Sequence, residues 1–498
     1  MNKPSKIVLI YPTNTKAIPK LPLSVLALAG PLMKAGYNVE ICDVVFDDYT
    51  KIDYTDVLFL GVSSYTDSGI KAGLEISEYV KNKFPEIPIV WGGPHPTTLP
   101  IQTIKNKYIN IICKEEGEVT VVELANAIYT NNSLANIKGI VWKDNDGIIH
   151  NNPSREFIDL NNIEEYPYHI LDIERYHWSI NQRFYYESSR GCPYYCTFCS
   201  FDLNKKFRAK SAKKIVDDIE SIQNKFNTYQ ISFLDSEFFT NKKRVREFCE
   251  EVIKRNLKIK WDATCRANLL VHYEDGFIKL LKKSGCESLS FGAESGSDRI
   301  LASIKKRITK QQTIDVVKKL KDSGILINLG FMCGFPEETE DDINQTLLLI
   351  DQILKINKNV EIGTYQIYTP YPGSELFIKA CDLGYRAPEN LEEWPLLPNI
   401  SYEFTTELTP WISKKRLKKL FIITTLVRFA YMCQREKSVS IDEKIKILYN
   451  SRILYYLYKI FNTFFILSYK IRWKYRLFSF AYEWYIWRYL RKTIINYY

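Results

Sequence analysis

The run Arg190-Gly191-Cys192-Pro193-Tyr194-Tyr195-Cys196-Thr197-Phe198-Cys199 constrains this chain more than any other stretch. It sets Cys192, Cys196 and Cys199 on one short loop, with three residues and then two between them. Thiolates that close can hold a metal centre at three corners and leave the fourth free. Iron–sulfur clusters are normally held by four Cys thiolates. Three on a loop, with no obvious fourth, point to an iron–sulfur cluster with one iron open to a ligand that is not protein. The competing reading is a structural zinc site, which is four-coordinate and closed. Zinc would have to recruit His177 or Cys249 through the fold.

A chain of 498 residues exceeds one ordinary core, so several domains are expected. Its hydrophobic fraction of 46% and charged fraction of 25% are those of a globular protein. The first ten residues lead straight into a strand-like run, so no signal peptide is expected. The odd count of 11 cysteines, scattered apart from the triplet, argues for reduced thiols and a cytoplasmic location. The net charge of +10 is unevenly spread. Residues 411–498 hold 19 Lys and Arg against 4 Asp and Glu, whereas residues 1–410 hold 49 against 54. The basic tail therefore reads as a module of its own.

Strand-like runs at residues 6–11, 39–43, 57–62, 87–91 and 109–112 alternate with helical patterns at 23–35, 70–84 and 118–127. That alternation predicts βαβ units and a parallel sheet over residues 1–137. A hairpin turning at Asn145-Asp146-Gly147 and a surface linker follow over 138–182. Alternation restarts near Phe184 and predicts a second α/β unit over 183–400, with a helical, aromatic tail over 401–498.

Ligands of parallel sheets bind beyond the C-terminal strand ends. In the first unit those loops hold Tyr11-Pro12-Thr13, Ser63-Ser64-Tyr65-Thr66, Gly92-Gly93-Pro94-His95 and Glu115-Glu116-Gly117-Glu118. Glycine pairs allow close backbone approach, and hydroxyls bond a polar edge. In the second unit the strand ends read Asp235-Ser236-Glu237, Thr264-Cys265-Arg266, Gly292-Ala293-Glu294-Ser295 and Gly330-Phe331-Met332-Cys333-Gly334. Carboxylates there can accept from an ammonium or ribose hydroxyl, and an Arg can fork onto a carboxylate. Each segment also has a plainer reading, as a helix cap, a loop bonded to backbone, or a barrel salt bridge.

In this order, these segments resemble the cobalamin-dependent radical S-adenosylmethionine (SAM) enzymes, the first-unit loops over residues 5–130 and the rest over 184–376. The resemblance implies an α/β architecture: an N-terminal Rossmann-like, flavodoxin-like cobalamin-binding domain, a central partial (β/α)6 TIM-type radical SAM barrel and a C-terminal α-helical region. It implies three cofactors: a [4Fe-4S] cluster on Cys192, Cys196 and Cys199, S-adenosylmethionine, and cobalamin. SAM would meet Phe198, Asp235, Ser236, Glu237, Arg266, Glu294, Ser295, Gly330, Met332 and Gly334. Cobalamin would meet Tyr11, Pro12, Thr13, Ser63, Ser64, Thr66, Gly92, Gly93, His95, Glu116, Gly117 and Glu118. One departure stands out: Tyr11 to Lys16 lacks the cobalt-ligating His that some cobalamin domains carry after their first strand. His95 could approach the corrin but is not assigned to cobalt, and no further catalytic residue is singled out.

The implied reaction is reductive SAM cleavage to a 5′-deoxyadenosyl radical, followed by methylation of an unactivated carbon or phosphorus through methylcobalamin. The substrate would be a natural product, lipid or peptide-derived molecule, and the electron would come from a reductase, flavodoxin or ferredoxin. A cyclase, oxidase or rearrangement enzyme with the same cofactors is the alternative. A zinc-holding scaffold with a basic tail is the alternative of another class. For residues 411–498 two readings stand: a helical subdomain packed on the barrel, or peripheral contact with an anionic membrane. Nucleic acid is disfavoured, since no recognition fold is visible.

Overall fold

A computed structural model describes residues 5–12, 20–176, 183–200, 206–397 and 406–435, with short pieces at 463–464, 467–468 and 471–478. Five apolar runs pair as parallel strands: β1 (Lys6–Tyr11), β2 (Asn38–Asp43), β3 (Val57–Ser63), β4 (Ile89–Gly92) and β5 (Ile111–Cys113). Alternate β1 side chains feed two separate cores, Val8 and Ile10 on one face, Ile7 and Leu9 on the other. Burial on both faces is what a continuous apolar run in a parallel sheet signals. The strand order is β2-β1-β3-β4-β5, so it reverses between β1 and β3 and leaves a crevice at their ends. The expected hairpin, β6 (Ile140–Lys143) and β7 (Ile149–Asn151), extends this sheet as its antiparallel edge.

The second unit begins with β8 (Phe184–Tyr186) and a short antiparallel pair, β9 (Ser189–Arg190) with β10 (Arg208–Ala209). The cysteine loop lies between these two short strands. Then come β11 (Gln230–Phe233), β12 (Lys260–Thr264), β13 (Cys286–Glu294), β14 (Leu326–Cys333) and β15 (Val360–Ile367). They form an all-parallel sheet in chain order, β8-β11-β12-β13-β14-β15, a six-stranded partial barrel. Side-chain caps set the start of four of the outer helices. Ser211 caps Ala212–Phe226, Asn241 caps Lys242–Lys254, and Thr309 and Thr339 make capping boxes with Gln312 and Asp342. Behind β11 and β12, Trp261 is buried among Phe233, Phe238 and Phe248, with ring centroids 5.7–5.9 Å away. Truncating such a side chain to Ala costs about 3–5 kcal/mol.

Two segments pack differently from their expected roles, and the tail follows one of its two readings. The linker does not merely cross the surface: Tyr168 is wedged against Phe184 and Phe226, and buried Tyr176 donates to Asp43 of the first sheet at 2.8 Å. Within the expected barrel segment, Leu391 and Trp394 return to the core of the first unit, where Trp394 Nε1 donates to Gln102 at 2.6 Å. The described part of the tail packs on the barrel. Helix Lys414–Arg435 lies along β15, and Trp473 Nε1 donates to Asp351 of helix Glu340–Ile356 at 2.6 Å. Most of the tail for which membrane contact was considered lies outside the described residues. Among the described residues no helix is long and apolar enough to cross a membrane.

Glu338 joins the loop after β14 to that tail helix. Its carboxylate accepts from Gly334 N at 2.6 Å and faces Arg416 at 3.9 Å. Burial outweighs both and pushes the carboxyl up to about 7. The unfolded chain ionises this group near its ordinary value, so its penalty grows as pH rises from about 4.5 to about 7 and is complete above that. Glu338→Gln removes the penalty. Its stability relative to the parent should rise by on the order of 3 kcal/mol between pH 4.5 and pH 8 in anaerobic denaturant titrations. A pH-independent difference would contradict the assignment.

Candidate functional site

Two cavities open at the C-terminal strand ends, and the cysteine loop walls both. The first, about 320 Å³, has apolar depth from Leu9, Val25, Phe59 and Val90. Its mouth is Ser24, Ser63, Gly92, Gly93 and Glu115 to Glu118, and Arg190, Gly191, Ser200 and Arg208 close it from the barrel side. At the mouth, Gly93 requires glycine, and Gly117 is closely packed. Gly93 sits at φ +94°, and a Cβ there would lie 2.9 Å from Ser64 O; at Gly117 it would lie 2.9 Å from Leu28. Small residues, apolar depth and a hydroxyl-bearing rim fit a large ring ligand edged with amides.

Of the residues expected at cobalamin, Ser63, Gly92, Gly93, Glu116, Gly117 and Glu118 line this cavity. Tyr11, Pro12, Ser64 and Thr66 do not, and Thr13 lies outside the described residues. His95 turns away from it. The imidazole is fully buried, holds Thr66 Oγ1 at 3.0 Å through Nδ1 and meets Trp394 edge-on. Burial pushes it down to about 4, so it is neutral.

The second cavity, about 470 Å³, lies in the barrel mouth and is bordered by Cys192, Cys196 and Cys199. The loop is held by backbone: Thr197 N donates to Ile304 O, and Leu376 N to Thr197 O. Arg266 stacks on Tyr194, 3.7 Å from its centroid, with Nη1 3.6 Å from Cys196 Sγ and Nη2 on Lys306 O. Among the described residues Cys42, Cys113, Cys249, Cys265, Cys286 and Cys333 are buried core thiols, and burial pushes those of Cys42, Cys113 and Cys249 up to about 12. Cys249 faces Ser284 in the core, and His177 lies outside the described residues. Among the described residues no three His, Cys, Asp or Glu groups converge on one ion position. The thiols are instead arrayed along a cavity wall, which suits a multi-iron cluster.

Phe198, Ser236, Glu237, Arg266, Glu294, Gly330 and Met332 also line this cavity. Phe198 and Met332 lie against the apolar cluster containing Phe335. Glu237 is deeply buried, and that burial pushes its carboxyl up to about 8, so it can donate as well as accept near neutrality. Glu294 takes φ +57°, a conformation that costs a non-glycine residue energy and recurs at functional sites. Its carboxylate meets Lys306 Nζ at 2.6 Å, both about 10% exposed.

Three expected residues do not line the cavity, each for a bonding reason. Asp235 is consumed by Ser188 and Ser189, whose backbone N–H groups donate at 2.8 and 3.1 Å and whose hydroxyls also donate, and Arg244 stands 3.5 Å away. Ser295 bonds Thr346 at 3.2 Å and supports Ser297 N. Gly334, at φ +78°, is pressed against Ile367 and Ile412. Sequence reasoning missed Tyr194, Lys306, Asn328, Thr364 and Gln366 here, and Arg190 and Arg208 at the first cavity. The adjacency of Arg190 and Tyr194 to the cysteines, and the period-two spacing of Asn328 with Gly330 and Met332, were the available signals.

Residues 20–125 match the sequence profile of the B12 binding domain, and residues 186–350 that of the Radical SAM superfamily. An uncharacterized methyltransferase of Pyrococcus horikoshii is 30% identical over 75% of this chain and 83% of its own length. The anaerobic magnesium-protoporphyrin IX monomethyl ester cyclase of Rubrivivax gelatinosus is 28% identical over 72% of this chain and 65% of its own. Among solved structures, the cobalamin-dependent SAM radical enzyme OxsB superposes over 98% of this chain and 75% of its own, with a TM-score of 0.71 at 20% identity. The radical SAM methyltransferase TsrM from Kitasatospora setae superposes over 77% of each chain, with a TM-score of 0.63 at 18% identity.

Removing one partner of a buried ion pair strands the other and costs about 3–5 kcal/mol. Lys306→Met should therefore destabilise the protein by about that much, and adding Glu294→Gln should restore most of it. Anaerobic urea titration checks this; additive losses in the double variant would contradict it.

Proposed function

The chain belongs to the cobalamin-dependent radical SAM enzymes, and from that premise we propose that it methylates an unactivated carbon, or phosphorus, of a small-molecule substrate. One observation carries this reading most: a single loop walls both cavities, so groups held in each would face a common space. The named methyltransferase that the chain matches over most of its length supports it. Cys192, Cys196 and Cys199 would hold the cluster, and Ser63, Gly92, Gly93 and Gly117 the cobalamin. When bound, the reduced cluster supplies the electron that splits SAM, and cobalamin supplies a transferable methyl group.

The chain's own residues do the rest. Arg266 and Lys306 offer cations for a carboxylate, Glu237 and Glu294 offer acceptors for an ammonium or ribose hydroxyls, and Phe198 and Met332 offer an apolar wall for adenine. Barrel and loop together exclude water and hold the target C–H close to the reacting carbon. An external reductant, flavodoxin or ferredoxin in kind, supplies electrons in a reducing cytoplasm. The second reading, ring formation without methyl transfer, is favoured by the similarity to the named cyclases.

Anaerobically reconstituted protein given reductant, methyl-labelled SAM and a pool of cell metabolites decides between them. Methylation predicts S-adenosylhomocysteine and 5′-deoxyadenosine together, with label in a new product. Deoxyadenosine without S-adenosylhomocysteine, and an unlabelled new product, would favour the cyclase reading.

A further inference from the structure

A buried set of charges joins the neck of the cysteine loop to the rim of the first cavity. The loop leaves through β9 and returns through β10, where Arg190 stands directly opposite Arg208. Two like charges facing each other across strands repel. Here both guanidinium groups reach over to carboxylates of the first unit. Arg190 Nη2 lies 2.7 Å from Glu118 and its Nη1 3.6 Å from Glu116. Arg208 Nη1 donates to Glu116 at 3.0 Å, and its Nη2 donates to the other oxygen of the same carboxylate. Arg190 Nε also holds Glu187 at 2.8 Å.

The two carboxylates are themselves fixed. Their loop follows β5, takes φ +61° at Glu115, and packs Gly117 close against Leu28, where a Cβ would lie 2.9 Å from its methyl. Glu115 N is tied to Thr97 Oγ1 at 2.9 Å. The side chains of Arg190, Arg208, Glu116 and Glu118 are only 9–15% exposed, and all four line the first cavity. The same charges thus touch the cavity on one side and hold both ends of the cysteine loop on the other.

We propose that Arg190 and Arg208, paired with Glu116 and Glu118, are positioning residues that couple occupancy of the first cavity by cobalamin to the placement of the cysteine loop. This rests on the reading that cobalamin enters that cavity. A bidentate fork sets both distance and angle, which a point charge does not. Ordering either loop then lowers the cost of ordering the other, and such coupling is reciprocal between the two ligands.

The test is cobalamin affinity, measured by absorbance titration on the full chain with and without its reconstituted cluster. For the parent, cluster loading should tighten cobalamin at least about fivefold. In Glu116→Gln that ratio should fall close to one, and in Arg208→Lys, which keeps the charge but not the fork, it should lie between. Iron content and circular dichroism establish folding; should Glu116→Gln fail there, Arg208→Lys carries the test. A second readout is the spin–spin interaction between cob(II)alamin and the reduced cluster, which should weaken or broaden in the variants. A parent ratio of one, an unchanged ratio in the variants, or equal loss of affinity in both forms overturns the proposal. Identical magnetic spectra would overturn it too. A parent that binds no cobalamin in either form sinks the cavity reading itself, and the coupling with it.

Discussion

Asp235 holds the rest of the site in place. Its buried carboxylate accepts from the backbone and hydroxyls of Ser188 and Ser189, the residues that lead into the cysteine loop, and Arg244 neutralises it. Its own carbonyl accepts from Thr264 at the end of β12 at 2.7 Å. One residue, through its carboxylate and its carbonyl, therefore ties the corner after β8 to the ends of β11 and β12. A buried carboxylate with partners on every side is expensive to disturb, because any lost partner leaves charge in a poor dielectric. The loop that follows inherits a fixed origin. Without it, the three thiols would be oriented only by the Thr197 backbone bonds and the arginine pairs at the loop's neck.

From that anchored start the loop separates two spaces of different character. On the barrel side lie thiols, Arg266, the Glu294–Lys306 pair and the apolar wall of Phe198 and Met332. On the other side lie glycines, hydroxyls and the apolar depth between the first sheet and its helices. Packing elsewhere keeps the halves together: Tyr168 and Tyr176 bind them from the linker, and Trp394 from the segment after the barrel. The tail helix closes the open edge at β15, and just before it Trp411 Nε1 donates to Gly334 O, in the loop after β14, at 3.0 Å.

The fold and the cysteine loop were legible because their signals are local. Strand alternation is a period-two pattern, and it puts Gly330 and Met332 on one face of β14. Metal-ligand spacing is likewise read from neighbours. What escaped was set by contacts far apart in sequence. Lys306 finds Glu294 across 12 positions, and Arg208 finds Glu116 across 92. Asp235 and Ser295 look like ligands for SAM in the sequence, because nothing local shows that Ser188, Ser189 and Thr346 have claimed them. His95 sits in the right loop, but the ring turns to Thr66 and Trp394, a choice that only tertiary packing makes.

The central claim is that Cys192, Cys196 and Cys199 leave one metal corner to SAM rather than to another side chain. Electron–nuclear double resonance on the reduced, cobalamin-free protein with SAM labelled at its amino nitrogen and carboxylate tests this directly. The account predicts hyperfine coupling to both labels, lost when any of the three cysteines is replaced. A cluster spectrum unchanged by labelled SAM, with a fourth ligand from the protein, would contradict it.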